Sequence, residues 1–362
     1  MKGSVVYLFA FDVANEVRTL AVPEVLSARP TPFRMRPASA LPRDVQVYQP
    51  LLIALPPGER ATSVGPLVVH TTVKVFEVGV VSIAFRVSVS VEALADLRPY
   101  HALEVEDRPL SALAEELCDR VVAELRPYLV KPTGTRPTPE AYTVFCLQDP
   151  VPAGEDVEPW AQAQRPAIAA LLAEEEEGRL SAAQVAETTR LWLSYARDDL
   201  AVIDWDAALA VDGSGDFDDV LYVMELANLQ LEQFRILDDR LDAFALQAYD
   251  DLERHYAAGR RLRVPGRMLA DLRTIRVDIT KMSEEVANIT KFVGDWYLAR
   301  VYIACEERFH LGHWQKSVAA KLQELDDLYS LVRSEIEARR MLLLEATIVA
   351  LFVLDVVLIV LG

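Results

Sequence analysis

Three side chains with metal-ligating chemistry fall close together late in the chain, at Glu306, His310 and His313. On a continuous helix this spacing of four and then three residues places all three on one face, as a zinc or other transition-metal site requires. Gly312 interrupts the pattern, and no second group of ligands accompanies it. The spacing therefore leaves two interpretations open, a weak metal site or a pair of surface histidines near a helix break.

A second group consists of arginines around a predicted helix break at 264–266. The group comprises Arg254, Arg260, Arg261, Arg263, Arg267, Arg273 and Arg276. Such a cluster in an acidic chain is typical of a surface that binds an anionic lipid, RNA or an acidic protein. The alternative, which the sequence favours, is ordinary solvated helix ends, since basic residues favour helix C-termini.

No other pattern predicts catalysis or cofactor binding. The segment 212–216 reads Asp-Gly-Ser-Gly-Asp, but it lacks the lysine of a P-loop and the third glycine of a dinucleotide loop. We therefore interpret it as a turn that caps the next helix through Ser214 or Asp216. The sequence predicts a protein that is not an enzyme and that uses no cofactor.

Composition limits the partners. The 362 residues carry a formal net charge of −18, and 52% of them are hydrophobic. A chain this acidic repels the phosphate backbone, so general nucleic-acid binding is unlikely. The three scattered cysteines form no C-x-x-C pair, which argues for a reducing compartment and against a disulfide framework.

The first 215 residues mix strand and helix patterns. Valine-rich runs at 67–91, with strict alternation from Arg86 to Val91, predict strands, and Gly79 marks a turn or bulge between two of them. Because the elements show no regular βαβ order, the fold class is α+β with a mixed or antiparallel sheet. We divide this part into an N-terminal α+β region at 1–130, a Pro/Thr linker at 131–140 and the second part of the domain at 141–215.

Residues 216–340 have a helical pattern. Apolar residues recur at heptad steps in three successive segments, the first running from Phe234 through Leu241 to Ala248. The sequence therefore predicts a long coiled-coil-like helical hairpin.

Residues 341–362 form an apolar run with two carboxylates, Glu345 and Asp355. As a helix the run is about 33 Å long, enough for a bilayer core of about 30 Å. Its Leu, Ile, Val and Phe residues each favour insertion by about 0.3–0.6 kcal/mol, against about 2.5–3.5 kcal/mol for a central Asp. The balance predicts one C-terminal transmembrane helix, and Arg339 and Arg340 before it predict that the N-terminal domain is cytosolic.

Three stretches follow one another along the chain: a strand with Gly79 before Val80-Val81, a helix with Glu232, Arg235, Arg240 and Leu241, and the run from Leu344-Glu345 to Asp355. In their order and spacing they resemble the "required for meiotic nuclear division" family, also called YagE-like. The resemblance implies a membrane-anchored protein without enzymatic activity that supports translation or membrane-associated assembly.

Together these features predict a tail-anchored, single-pass protein of the inner or cytoplasmic membrane that acts as a scaffold. Its expected partners are the lipid bilayer, further copies of itself and a cytosolic protein. The alternative is a homo-oligomeric channel or transporter with a cytosolic α+β domain.

Overall fold

The computed structural model describes residues 1–33, 50–133, 138–152, 154–258, 277 and 296–361. The chain divides into two compact units. The first comprises Met1–Ile236 and Met282–Trp314, and the second comprises Leu237–Lys281 and Gln315–Gly362.

A sheet of twelve strands, counted over the described ranges, organises the first unit. Together with the separate pair β2–β10, its strands are β1 (Lys2–Asp12), β2 (Ala14–Val17), β3 (Thr31–Pro32), β4 (Leu51–Ala54), β5 (Gly58–Thr62), β6 (Gly65–Val75), β7 (Val80–Ser90), β8 (Glu104–Val105), β9 (Arg108–Pro109), β10 (Leu129–Pro132), β11 (Glu140–Leu147), β12 (Leu191–Leu193), β13 (Asp199–Ile203) and β14 (Ala207–Asp212). The main order is β12-β13-β14-β11-β1-β7-β6-β5-β8-β9, and β4 joins β3 to β6. Neighbours pair antiparallel except β11 and β14, which pair parallel.

Strand β1 lies in the middle of this sheet. Val5 pairs with Val87 of β7 on one side and with Phe145 of β11 on the other. Because both faces of β1 are covered, residues 5–12 are all buried and are apolar except the last. This explains why β1 shows a continuous apolar run, whereas the second half of β7 alternates.

The helices are α1 (Leu110–Leu125), α2 (Val157–Ala163), α3 (Arg165–Leu172), α4 (Ala182–Thr188), α5 (Asp218–Ala258), α6 (Trp296–Arg308) and α7 (Leu311–Leu361). Helices α1, α2 and α3 contribute to one core with alternate residues of β1, β7 and β11, such as Val5, Ile83 and Phe145. The first part of α5 contacts the opposite face: Tyr222 stacks against Phe76, just after β6, with 6.5 Å between ring centroids. The sheet thus lies between two helical layers.

The second unit contains the rest of α5 and most of α7. In α5 the buried positions are Leu237, Leu241 and Ala248, and in α7 they are Val318, Leu322 and Leu325. Both sets follow heptad-like steps of three, four or seven residues.

Polar contacts beside these positions show the direction of the two helices. Lys321 pairs with Asp238 at 2.8 Å and with Asp242 at 2.7 Å, and Ser317 donates to Asp238 at 3.4 Å. Residue numbers therefore rise in the same direction along both helices, which run parallel.

The prediction of a membrane-spanning helix at 341–362 is wrong. Among the helices in the described ranges, none combines the length and the apolar character that a bilayer span requires. The prediction treated the run as an isolated span, but it is the end of a 51-residue helix whose earlier part is polar, and carboxylates at 345 and 355 interrupt it. The predictions of a transmembrane anchor and of a location in the inner membrane are therefore wrong as well.

Candidate functional site

A long apolar surface lies on the last part of α7, residues 341–359, which we call the apolar segment. Its large apolar side chains are between 43% and 73% exposed: Met341, Leu342, Leu343, Leu344, Ile348, Val349, Leu351, Phe352, Val353, Leu354, Val356, Val357 and Ile359. Successive helical residues are about 100° apart, so four consecutive apolar residues from 341 to 344 already surround the helix. An uncovered surface of this kind marks an interaction site.

A polar stripe runs along the first part of α5, and three of its four residues are buried. Glu225, Asn228, Glu232 and Arg235 follow steps of three, four and three residues, so they share one helix face. This face meets the sheet where β1 ends and β11 begins, because the amide of Asn228 donates to the backbone carbonyl of Glu140 over 3.0 Å. The stripe therefore supplies a hydrogen bond to the backbone at the start of β11.

The charge of Glu225, the first residue of the stripe, is neutralised by a lysine. Lys74 of β6 forms a salt bridge with Glu225, whose side chain is 2% exposed. The ammonium group also lies 4.4 Å from the ring centroid of Phe33 and 5.1 Å from that of Tyr222. A cation over aromatic faces and beside a carboxylate is stabilised on both counts.

Glu232 has no such cation among the described residues. Burial, together with the neighbouring carboxylates of Asp12 and Glu140, raises the pKa of its carboxyl group to about 8. The backbone N–H of Asp12 and the guanidinium of Arg235 act in the opposite direction but do not offset burial. Its Oε1 has no hydrogen-bond partner within the described part of the chain. At neutral pH this group holds a proton.

Arg235 completes the cluster by pairing with Glu140. Burial raises the pKa of the Glu140 carboxyl, and Arg235 lowers it. Asp12 accepts a hydrogen bond of 3.0 Å from the hydroxyl of Thr133. We call Asp12, Glu140, Glu232 and Arg235 the carboxylate cluster.

Five charged residues form a separate network around α6. Arg308 bonds Asp204 and Glu187, while Arg190 bonds Glu187 and Glu307. The network ties α6 to α4 and to the turn between β13 and β14.

The three predicted metal ligands do not share a helix. Glu306 lies in α6, His313 lies in α7, and His310 lies between them with a φ of 52°. This left-handed residue ends α6 and redirects the chain, so the helical spacing no longer applies. The ring of His310 is 5.8 Å from that of His313 and 5.6 Å from that of Trp205. The described residues contain no group of three His, Cys, Asp or Glu side chains that could hold a metal ion.

Most of the predicted arginine cluster lies outside the described residues. Residues 260–276 carry six of the seven arginines, and Arg254 is in α5 with its side chain outside the described set. The two predicted intramembrane acids, Glu345 and Asp355, both belong to α7. Their predicted setting inside a bilayer is corrected by the absence of a span among the described helices.

The residues singled out by the family resemblance have other positions. Gly79 makes the turn between β6 and β7 with a φ of 84°. Glu232 and Arg235 belong to the carboxylate cluster, whereas Arg240 and Leu241 lie in the second unit. The residues that carried the resemblance therefore lie in three different settings: a turn, the carboxylate cluster and the second unit.

Asp12, Glu140, Asn228 and Lys74 were not among the predicted site residues. Asn228 carries a detectable signal, since polar residues at helical steps inside an apolar stretch are unusual. Asp12 and Glu140 give no signal, because each is an ordinary acidic residue at the end of a strand.

Comparison with known proteins identifies the relationship. The N-terminal domain of the uncharacterized protein MJ0711 defines a family whose model matches residues 2–218. The chain belongs to this family. The uncharacterized protein MJ0711 of Methanocaldococcus jannaschii is 25% identical over 271 residues, which cover 75% of this chain and 78% of the relative. No solved structure matches.

Membership in the MJ0711 family overturns the resemblance to the meiotic nuclear division, or YagE-like, family. The stretches that suggested it are a buried strand with a glycine turn, an amphipathic helix and an apolar run. Many unrelated proteins need these same features for packing, so their order did not identify a family.

Proposed function

We propose that the protein is a non-enzymatic interaction protein that associates with further copies of itself through the apolar segment of α7. The observation that carries the proposal is the exposure of large apolar side chains around the whole of this helix. Folded monomers rarely leave an apolar patch of more than a few hundred Å² uncovered.

The size of the surface supports self-association. Burying a large apolar side chain is worth about 1.5–3 kcal/mol at about 25 cal/mol per Å², so each presents on the order of 100 Å². At the observed exposures the segment offers on the order of 800 Å² per copy, about what one partner contributes to a standard interface. Because the apolar surface surrounds the helix, several copies cover it better than one.

The charged groups of the first unit support a non-enzymatic role. Lys74, Arg235 and Arg308 are each engaged by carboxylates that hold helices against the sheet. Groups committed to such pairs stabilise packing and are poorly placed to bind a substrate. The role in translation depended on the family resemblance and is not proposed, and the channel alternative depended on a membrane span.

The test is the mass of the full chain in solution, measured by sedimentation over a range of concentrations. We expect a concentration-dependent oligomer for the parent and a monomer for the double variant Leu344→Glu with Leu351→Glu. Ala319→Glu with Ala320→Glu is the matched control, since it adds the same charge at exposed positions earlier on α7.

Three outcomes overturn the proposal. The first is a monomeric parent at tens of micromolar without detergent or lipid, and the second is an oligomer that the Leu344 and Leu351 substitutions leave unchanged. The third is a monomer that instead partitions into phosphatidylcholine vesicles, which would identify a different occupant of the segment.

A further inference from the structure

The carboxylate cluster brings three acidic groups to one end of the sheet. Strands β1 and β11 are antiparallel neighbours with Ala10 opposite Glu140, so the end of one strand meets the start of the other. Asp12 is 7% exposed, Glu140 9% and Glu232 2%. Buried carboxylates that act on one another electrostatically cannot all remain ionised without compensating charge.

Within this cluster the guanidinium of Arg235 is committed to a salt bridge with Glu140. The hydroxyl of Thr133 donates a hydrogen bond to Asp12. Gln233, next to Glu232 on α5, donates to the backbone carbonyl of Val78 in the β6–β7 turn. Glu232 is left with an unpartnered oxygen, Oε1, although it is almost fully buried.

Glu225 shows the contrast on the same helix. It is equally buried and also has one unpartnered oxygen, but Lys74 neutralises it. Two helical turns separate these glutamates, and within the described part of the chain one has its own cation and the other does not. The difference singles out Glu232 as the acid that must be neutralised by another means.

We propose that the carboxylate cluster is a proton-binding site, in which Glu232 carries the proton and its loss loosens α5 from the ends of β1 and β11. Among the described residues, the charged groups that face Glu232 are Asp12 from β1, Glu140 from β11 and Arg235 from α5 itself. Two of these three are carboxylates, so ionised Glu232 is repelled from the strand ends that α5 must contact.

The direction of the pH dependence follows from the raised pKa of Glu232, about 8 in the folded protein against an ordinary value of 4.5. The folded state binds the proton more tightly than the unfolded state. Its stabilising contribution is therefore complete below the ordinary value and is lost as the pH rises through about 8. Within that window the unfolding equilibrium constant increases by up to about tenfold per pH unit.

The experiment compares urea unfolding of the parent, Glu232→Gln and Glu225→Gln between about pH 5 and pH 9.5. We expect Glu232→Gln to flatten the rise of the unfolding constant with pH and to be more stable than the parent at the alkaline end. Glu225→Gln leaves Lys74 without its carboxylate, so it should be less stable at every pH while keeping the slope of the parent.

Equal slopes for the parent and Glu232→Gln would overturn the proposal. If Glu232→Gln does not fold, the infrared difference spectrum of the parent across the same pH range decides the question. Loss of a protonated-carboxyl band near the alkaline end supports the site, and the absence of such a band overturns it.

Discussion

Arg308, the last residue of α6, donates a hydrogen bond of 2.7 Å from Nε to Oδ1 of Asp204, the residue after β13. The two side chains are 13% and 9% exposed, and a second nitrogen of the same guanidinium bonds the same carboxylate. Tyr142 of β11 donates to the backbone carbonyl of Asp204 at 3.1 Å. The end of α6 is therefore joined to the sheet by a chain of buried polar contacts.

Replacing Arg308 with Ala should lower the free energy of unfolding by about 3–5 kcal/mol, because it leaves Asp204 nearly buried without its cation. Urea unfolding near neutral pH measures the change. Arg179→Ala is the control, since Arg179 is 71% exposed in its pair with Glu175 and such surface pairs contribute little. Equal stabilities of the two variants would show that the Arg308 pair is not what holds α6.

Gly79→Ala should destabilise the protein by several kcal/mol, at the severe end for a single substitution. A Cβ at this position would overlap the backbone carbonyl oxygen of Ala14, and φ is 84°. Gly178→Ala separates the two causes, because Gly178 has a φ of 85° but open space around it. That control should lose only about 1–2 kcal/mol, the cost of a left-handed residue. Similar losses of stability for Gly79→Ala and Gly178→Ala, measured by thermal unfolding, would refute the steric explanation.

Leu241→Ala should cost the second unit about 2–5 kcal/mol, as expected for a fully buried leucine. Leu246→Ala on the same helix should change stability by less than about 0.5 kcal/mol, because Leu246 is 70% exposed. Denaturant unfolding followed by circular dichroism compares them. A large loss for Leu246→Ala would mean that another surface covers this side of α5.

The cysteines should not react with thiol reagents while the protein is folded. Cys118, Cys146 and Cys305 are all buried. Burial raises the pKa of the Cys146 thiol to about 12, and it also raises the pKa of the Cys305 thiol well above its ordinary value. Since the thiolate is the reactive form, we expect almost no reaction at about pH 8 in native buffer and three reactive thiols in denaturant. Rapid labelling of any one thiol in native buffer would contradict the burial.

Local patterns determined much of the secondary structure. The apolar run at 5–11 became β1, the alternation at 86–91 belongs largely to β7, and the heptad steps at Leu237 and Leu241 became buried positions of α5. These patterns work because burial on one face of a strand or helix repeats with the period of that element. The same reasoning placed a turn at Gly79.

Two further sequence interpretations, the weak alternative of a metal site and the predicted membrane span, assumed a helical context that the sequence alone does not determine. One left-handed residue, His310, separates Glu306 from His313 and removes the common helix face on which a metal site depended. The apolar composition of 341–362 predicted a span that the described helices do not provide.

Tertiary structure alone created the carboxylate cluster. Asp12, Glu140 and Glu232 are separated by about a hundred residues each, and each is an ordinary acidic residue in the sequence. They meet because β1 and β11 pair antiparallel and because α5 crosses the sheet where those strands end. A pKa depends on burial and on charges within a few ångströms, and neither quantity is present in the chain until the sheet and α5 have packed together.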